Sequence, residues 1–174
     1  MSRTIPTLTR RTPVVPATDD DAPEIAALLH RRAPSTIPVP VDRIRDQIDR
    51  YYVVRDQGRV AGTASLHPIN GSRFELRSVA IADGFGGRGL GSHIVRAMQT
   101  EAERAERDLV CATTSPDFFE RLDFVRAPLD AIPAKPARRF WPTAETRVAL
   151  AWTPELPVGP ACDTDIRTGL RRSA

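Results

Sequence analysis

Residues 75–92 read Glu75-Leu-Arg-Ser-Val-Ala-Ile-Ala-Asp-Gly-Phe-Gly-Gly-Arg-Gly-Leu-Gly-Ser92, and this stretch decides the fold. A strand-like run ends at Ile81, glycines dominate the residues that follow, and an amphipathic helix begins after them. A strand, a glycine loop and a helix N-terminus in that order place backbone N–H groups at the positive end of a helix dipole. The stretch therefore predicts an anion site that suits a pyrophosphate.

The overall composition is that of one globular domain. The chain has 174 residues, of which 41% are hydrophobic and 27% charged. It contains no run of about 18 apolar residues, which argues against a membrane-spanning helix, and residues 1–11 are too polar for a secretory signal. The net charge of +3 is scattered, without the basic stripe and interleaved aromatics that bind nucleic acids. Cys111 and Cys162 lack the spacing of a metal or redox motif, so we expect no metal and a reducing, cytoplasmic setting.

The segment before the glycine loop predicts two helices and a three-stranded meander. The expected elements are a strand at 14–17, helices at 19–32 and 41–51, and strands at 51–55, 60–69 and 73–81. Asn70-Gly71 predicts a type I′ turn, in which both residues have positive φ. On a regular third strand, Glu75, Arg77, Val79 and Ile81 share one face.

The segment after the loop predicts a helix, a buried strand and a short helix. The expected elements are a helix at 88–106, a strand at 109–114, a helix at 116–122 with Ser115 as its N-cap, and strands at 124–125 and 148–152. Residues 1–11 and 154–174 are expected to be a disordered N-terminus and a flexible C-terminal tail. The folded domain is therefore expected to span residues 12–153.

The glycine loop is open to three interpretations from the residues alone. Gly84-Phe-Gly-Gly-Arg-Gly89 matches the G-x-G-x-x-G fingerprint of dinucleotide-binding folds, but that motif belongs to alternating strands and helices rather than a meander. Gly86 to Ser92 approaches a P-loop but lacks its lysine. The third interpretation is structural: the glycines permit a tight turn and close helix–strand packing.

Two motifs together resemble the GCN5-related N-acetyltransferases (GNAT). Phe85-Gly-Gly-Arg-Gly-Leu-Gly-Ser92 is similar to the acetyl-coenzyme A loop of that family, Q/R-x-x-G-x-G/A. Phe118-Phe-Glu-Arg-Leu-Asp-Phe124 is similar to its F-Y/F-E-x-L-G-F element, at the usual distance downstream. The resemblance covers about residues 12–152. It implies an α/β (α+β) fold: a single domain with a mixed, mostly antiparallel central sheet flanked by helices.

Within the superfamily, the chain resembles the amino-acid N-acetyltransferases, which include N-acetylglutamate synthase-like and arsenic-operon enzymes. The likeness rests on Glu75 to Ile81, on Thr113-Thr114, and on a late pattern of Pro128, Ile132, Phe140 and Pro142. It implies direct transfer of acetyl from acetyl-coenzyme A to the amino group of a small amino acid or analogue. The alternatives are another amine (an antibiotic, a polyamine or a protein N-terminus) or a non-catalytic acyl-coenzyme A module. Homodimers are common in the family.

The resemblance also implies a coenzyme site. Backbone groups of Val79 and Ile81 are expected to hold the pantetheine arm, and the amides of residues 86–91 the pyrophosphate. The other residues expected to contact the coenzyme, by side chain or backbone, are Gly86, Gly87, Arg88, Gly89, Gly91, Ser92 and Phe119. Gly86 departs from the family, which has Gln or Arg there, and Phe119 replaces a tyrosine that serves many relatives as general acid.

The expected catalytic residues lie on either side of the loop. Glu75 or His67 is the candidate base, and Ser115 or water the source of the proton for the departing thiolate. The N–H near Val79 is the expected oxyanion donor. The structural alternatives are a salt-bridged Glu75 and a partly buried structural imidazole at His67.

Arg77 is the main candidate for substrate recognition, because a guanidinium can hold a carboxylate through two hydrogen bonds. Its structural alternative is an ion pair with Glu75. The other residues expected to line the amine site are Ser78, Thr113 and Thr114, with Lys135, Arg138 and Arg139 near a second acidic group. Asp123, where the family has glycine, is expected to adopt the left-handed conformation.

Overall fold

The computed structural model describes residues 12–33, 36–128, 131 and 148–154, and its centre is one seven-stranded sheet. The strands are β1 (Val15–Pro16), β2 (Tyr51–Asp56), β3 (Arg59–Asn70), β4 (Arg73–Ile81), β5 (Asp108–Thr113), β6 (Val125–Arg126) and β7 (Val148–Trp152). Their order is β1-β2-β3-β4-β5-β7-β6. Among the described strands β4 and β5 are parallel and the other neighbours antiparallel, which confirms the predicted α/β fold with its mixed, mostly antiparallel sheet.

Four α-helices within the described residues flank the sheet. They are α1 (Ala22–Arg31), α2 (Val41–Arg45), α3 (Leu90–Arg104) and α4 (Pro116–Glu120), with short 3-10 turns at Asp19–Asp21 and Ile48–Arg50. One buried cluster joins α1 and α2 to the sheet and includes Ile25, Leu29 and Ile44. A second joins α3 and α4 to the sheet and includes Ile94 and Met98. Within the described ranges, no helix has the length and apolar character to cross a membrane.

The hairpin between β3 and β4 uses a different turn from the predicted one. Asn70 and Gly71 do not have positive φ, so the predicted type I′ turn at this position is wrong. The Asn70 side chain instead accepts the Ser72 N–H at 3.0 Å, which closes an Asx turn. The pair with positive φ is Gln57 (47°) and Gly58 (81°), between β2 and β3.

Strand β4 contains a bulge that changes which side chains share a face. Ser65 pairs with Arg77, whereas Thr63 pairs with Ala80, so β4 carries one residue more than β3 between these pairs. Ser78 lies in this bulge with a φ of 54°. An extra residue inverts the alternation of a strand. Val79 and Ile81 consequently pack against the α3 cluster, and the predicted common face with Glu75 and Arg77 is wrong.

Several helix ends also differ from prediction. α3 begins at Leu90 rather than 88, because Gly89 adopts a left-handed conformation (φ 77°) as its N-cap. α2 ends at Arg45, after five residues. Ser115 precedes α4, but its side chain makes no capping bond, and its N–H donates to Thr113 Oγ1 at 3.0 Å.

Asp123 adopts the left-handed conformation expected of it, with a φ of 68°. Phe124 N–H donates to Phe119 C=O at 3.2 Å, and Asp123 N–H to Glu120 C=O at 3.2 Å. These two bonds form a Schellman motif after α4. The Phe119 and Phe124 rings meet edge-to-face with centroids 5.4 Å apart, which supplies the apolar contact that accompanies the motif. The second sequence motif therefore builds a helix stop.

Candidate active site

The parallel strands β4 and β5 separate after three residue pairs. The pairs are Arg73 with Asp108, Phe74 with Leu109 and Glu75 with Val110. β4 continues to Ile81, while β5 stays paired with β7 as far as Thr113. From Leu76 onward, the edge of β4 that faces β5 has no strand partner among the described residues. Backbone N–H and C=O groups on this edge can therefore receive an extended ligand.

The backbone of Ile81 points toward this gap. Ala82 N–H donates to Ala61 C=O on the β3 side at 2.8 Å. Because neighbouring residues of a strand present their backbone groups to opposite edges, Ile81, and by the same alternation Val79, face away from β3. Arg32 Nε donates to the Ile81 C=O at 2.6 Å, and Arg32 also pairs with Asp83 at 2.9 Å. The end of α1 is thereby tied to the edge expected to carry pantetheine.

The glycine loop forms an open cradle before α3. Gly84, Gly87 and Gly89 have positive φ, a conformation that disfavours other residues. A β-carbon built on Gly86 or Gly87 would meet no heavy atom within 4 Å. The open backbone of this loop lies directly ahead of the N-terminus of a 15-residue helix. This arrangement suits a diphosphate.

Some of residues 88–92 lie at the cradle, and others pack against neighbouring side chains. Arg88 is exposed in the loop, and Ser92 is half-buried in the first turn of α3. Gly91 also allows close packing, because a β-carbon there would lie 3.3 Å from the Phe118 ring. The structure therefore assigns close packing between α3 and α4 to Gly91.

A buried polar cluster lies on β2, β3 and β4. Tyr51, Ser65, His67 and Glu75 are each at most 6% exposed. The strand register pairs Tyr51 with Ser65, Ser65 with Arg77, and His67 with Glu75. The tertiary structure thus brings the predicted residues His67, Glu75 and Arg77 together.

Burial raises the pKa of the Glu75 carboxyl, while the Arg77 guanidinium opposes that rise. Arg77 Nη2 donates a hydrogen bond to Glu75 Oε2, so the ion pair considered for Arg77 is present. The Arg77 side chain is 30% exposed, and its buried Nε has no partner in the described part of the chain. A buried donor without a partner is costly, and a ligand acceptor would satisfy it.

His67 is held neutral by its surroundings. Burial, with the nearby charges of Arg77 and Arg50, lowers the pKa of the imidazole to about 3. Arg50 Nη1 lies 3.4 Å from Nδ1, and a guanidinium only donates, so Nδ1 is the acceptor. Nε2 then carries the proton and donates to Ser65 Oγ at 3.1 Å. Because its lone pair is occupied, His67 is a poorer base than Glu75.

The other predicted residues lie at the end of β5, in the core, or outside the residues that the structure describes. Thr113 is buried and its hydroxyl closes the turn into α4, while Thr114 and Ser115 are exposed there. Phe119 is 7% exposed and packs in the α3 cluster. The predicted residues outside the described ones are Ile132, Lys135, Arg138, Arg139, Phe140 and Pro142. Residues 1–11 and 155–174 also lie outside them.

Sequence reasoning missed Tyr51, Ser65 and Arg50. Tyr51 and Ser65 are adjacent across β2 and β3, but this register depends on the turn at Gln57-Gly58 and on a register shift between Val54 and Arg55. Arg50 precedes β2 and gives no local signal of its contact with His67. In the part of the chain described, no group of three or more His, Cys, Asp or Glu residues is placed to hold a metal ion.

Comparison with known proteins identifies the domain. Residues 47–126 match the family model of the acetyltransferase (GNAT) domain. A Mycobacterium tuberculosis protein in complex with CoA and NLQ superposes with a TM-score of 0.70 and 18% identity, over 81% of this chain and 98% of that one. N-acetylglutamate synthase from Neisseria gonorrhoeae, complexed with coenzyme A and N-acetyl-glutamate, superposes with a TM-score of 0.72 and 17% identity.

The extent of these similarities differs. The superposition covers 81% of this chain and 34% of the Neisseria synthase. Ard1 from Thermoplasma volcanium superposes with a TM-score of 0.67 and 12% identity, over 81% of this chain and 96% of that one. At these identities the superpositions establish the fold. Together with the family match, they confirm the predicted GNAT assignment.

The neutral state of His67 predicts a specific dependence of stability on pH. In the unfolded chain His67 binds a proton below about pH 6.5, whereas the folded imidazole does so only near pH 3. Acidification between these values therefore favours the unfolded state, by at most about 1.4 kcal/mol per pH unit. We expect His67→Gln to reduce the acid-induced loss of unfolding free energy between pH 6.5 and 4.5, measured by urea titration. The exposed His30→Gln is the matched control, and parallel curves for wild type and His67→Gln would contradict the prediction.

Proposed function

We propose that this chain, whose residues 47–126 belong to the acetyltransferase (GNAT) domain family, transfers acetyl from acetyl-coenzyme A to the amino group of a small amino acid or amino-acid analogue. One observation carries the proposal. The gap between β4 and β5 opens between the glycine cradle and the pair formed by the buried Glu75 and the partly exposed Arg77. A coenzyme held along β4 would bring its thioester toward that pair.

The coenzyme would use backbone groups for most of its contacts. The pyrophosphate would lie on the amides of residues 86–89 and the start of α3, with charge supplied by Arg88. The pantetheine amides would bond to Val79 and Ile81 as an added strand. The structures of the Mycobacterium protein and the Neisseria synthase both contain coenzyme A, which supports a coenzyme site in a fold of this type.

The reaction would be direct attack by the substrate amine on the thioester carbonyl carbon. Glu75, whose pKa is raised by burial, would take the ammonium proton directly or through water and leave the amine neutral. The N–H of Val79 would donate to the oxyanion as the C–N bond forms. The C–S bond then breaks and the thiolate departs. Because the pKa of the corresponding thiol is about 8.5, water or Ser115 can protonate it.

Arg77 would select the substrate through its carboxylate. One arm of its guanidinium is bound to Glu75, which leaves other N–H groups of a partly exposed side chain for a ligand. Arg50 adds positive charge beside His67, so the cluster around Glu75 has a surplus of cations. An amino-acid substrate supplies the compensating carboxylate. The N-acetyl-glutamate in the Neisseria synthase structure is a ligand of this type.

A non-catalytic acyl-coenzyme A module is the second candidate, and Gly86 is the observation that favours it. The family uses Gln or Arg at this position, and glycine has no side chain to make that contact; a β-carbon built there would meet no heavy atom within 4 Å. Such a module would bind coenzyme A but release no thiol from acetyl-coenzyme A in the presence of amines.

The decisive test is thiol release from acetyl-coenzyme A, screened against the twenty amino acids, amino-acid analogues and polyamines. We expect turnover with a carboxylate-bearing amine, and a loss of kcat of about 10²- to 10⁴-fold in Glu75→Gln. Isothermal titration with coenzyme A provides the control for a folded site. Coenzyme binding without turnover would favour the module, and absence of binding would reject both candidates.

The cradle makes a prediction about two neighbouring glycines. Gly87 has a φ of 73°, whereas Gly86 does not have positive φ, and both face open space. A side chain at Gly87 strains the loop by about 1–2 kcal/mol. We therefore expect Gly87→Ala to weaken coenzyme A binding by roughly tenfold, measured by titration calorimetry. Gly86→Ala is the matched control and should leave the Kd unchanged; equal effects of the two substitutions would contradict a backbone cradle.

If Arg77 binds the substrate carboxylate, its removal should change KM for the amino acid but not KM for acetyl-coenzyme A. Arg77→Ala should raise KM for the amino acid by at least roughly tenfold, because a charged hydrogen bond contributes about 1.5–3 kcal/mol. KM for acetyl-coenzyme A should change little. Arg73→Ala, at the other end of β4, is the control. Equal increases in both KM values would show that Arg77 supports the fold rather than the substrate.

A further inference from the structure

We infer that Arg32, at the C-terminal end of α1, is a coenzyme-binding residue whose guanidinium donates to the diphosphate of coenzyme A. It would supply the side-chain contact that Gly86 cannot make, so that this cation comes from α1 rather than from the glycine loop. The inference rests on the coenzyme site of the proposed function and adds one residue to it, but it does not require that acetyl is transferred.

Arg32 lies where the edge of β4 meets the glycine loop. Its Nε donates to the Ile81 C=O at 2.6 Å, and its Nη2 lies 2.9 Å from Asp83 Oδ1. Ile81 is the last residue of β4, and Asp83 immediately precedes the first glycine of the loop. An extended ligand on β4 would pass this guanidinium as it enters the cradle. In coenzyme A, the diphosphate follows the pantetheine arm at that point.

A turn keeps the glycine loop close to this guanidinium. Phe85 N–H donates to the Ala82 C=O at 3.3 Å, and a turn of this kind holds its first and last residues within about 7 Å. Ala82 is itself bound to β3, through its N–H to the Ala61 C=O. Gly86 follows the turn directly, so the cradle begins beside the end of β4.

The backbone of Arg32 is fixed, so its side chain approaches β4 from a defined point. Its N–H donates to the Leu28 C=O at 3.1 Å, and its C=O accepts from the Thr36 N–H at 3.1 Å. Thr36 Oγ1 also donates to the Leu29 C=O at 2.8 Å. Leu28 and Leu29 are buried in the cluster that joins α1 to the sheet. This pre-organisation reduces the entropy lost when the side chain binds a ligand.

The ion pair with Asp83 can be exchanged for a ligand. The Asp83 side chain is 78% exposed and that of Arg32 35%. An exposed ion pair contributes little to stability, and a diphosphate carries more negative charge than one carboxylate. Nη2 would therefore move from Asp83 to the diphosphate, while Nε stays on the Ile81 C=O. The Ile81 N–H lies on the same edge of β4 and would donate to a carbonyl of the pantetheine arm.

Titration calorimetry with coenzyme A and with pantetheine tests this role without turnover. We expect Arg32→Gln, which keeps an amide donor but removes the charge, to raise the Kd for coenzyme A by about tenfold. The Kd for pantetheine, which has no phosphate, should stay within about twofold. Arg31→Gln is the matched control, because Arg31 is exposed, lies next to Arg32 and carries the same charge.

Three outcomes of these titrations would overturn the inference. An unchanged Kd for coenzyme A in Arg32→Gln would show that Arg32 does not contact the coenzyme. A lower Kd for both ligands would show that Arg32 obstructs the edge of β4 instead. Equal increases for both ligands would show that the substitution disrupts that edge as a whole.

A second substitution tests whether Arg32 replaces a side chain at Gly86. Gly86 does not have positive φ, and a β-carbon there would meet no heavy atom within 4 Å, so the loop can accept an arginine. Gly86→Arg should lower the Kd for coenzyme A by about fivefold or more in Arg32→Gln, but by less than about twofold in the wild type. Equal gains in the two backgrounds would refute the replacement.

The inference and the proposed function can fail separately. If coenzyme A binding depends on Arg32 but no amine is acetylated, the proposed transfer fails and the role of Arg32 stands. If the wild type acetylates an amine and Arg32→Gln changes neither Kd nor KM for the coenzyme, the inference fails and the proposed function stands.

Discussion

The separation of β4 from β5 is the constraint on which the rest of the site depends. Three residue pairs join the strands, and beyond Glu75 the β4 edge has no strand partner among the described residues. Exposed backbone groups on a sheet edge invite an added strand. A ligand that lies there would run from the glycine cradle before α3 toward the polar cluster around Glu75. The bulge at Ser78 lies in the unpaired part of β4 and sets the direction of the Val79 N–H.

Electrostatics inside the polar cluster follow from its two arginines. Arg77 binds Glu75 and limits the rise in the pKa of that carboxyl, while Arg50 and Arg77 together keep His67 neutral. The same arginines leave the cluster with more positive than negative charge, which an amino-acid carboxylate would balance. Cys111, near Glu75, has its pKa raised to about 12 by burial and is a core residue rather than a nucleophile.

Local sequence predicted the elements well and their irregularities poorly. The bounds of β4 and β7 agree with the prediction, and the helix after the glycine loop begins only two residues later than expected. The faces of β4 were assigned wrongly, because a bulge depends on pairing with β3 and leaves no mark in the alternation of the strand itself. The type I′ prediction for Asn70-Gly71 was wrong as well. There the Asn70 side chain accepts a hydrogen bond from the Ser72 N–H and closes a different turn.

The sequence by itself determined the glycine cradle and the helix stop at Asp123. Both are local, because glycine is free to adopt positive φ and because an N-terminal amide cluster needs only contiguous residues. Only the tertiary structure decided which polar residues meet. Tyr51, His67 and Glu75 come from three strands, and their contact depends on strand register, which long-range pairing sets. The preference for Glu75 over His67 as the proposed base also depends on burial and on Arg50, and neither is visible in a single strand.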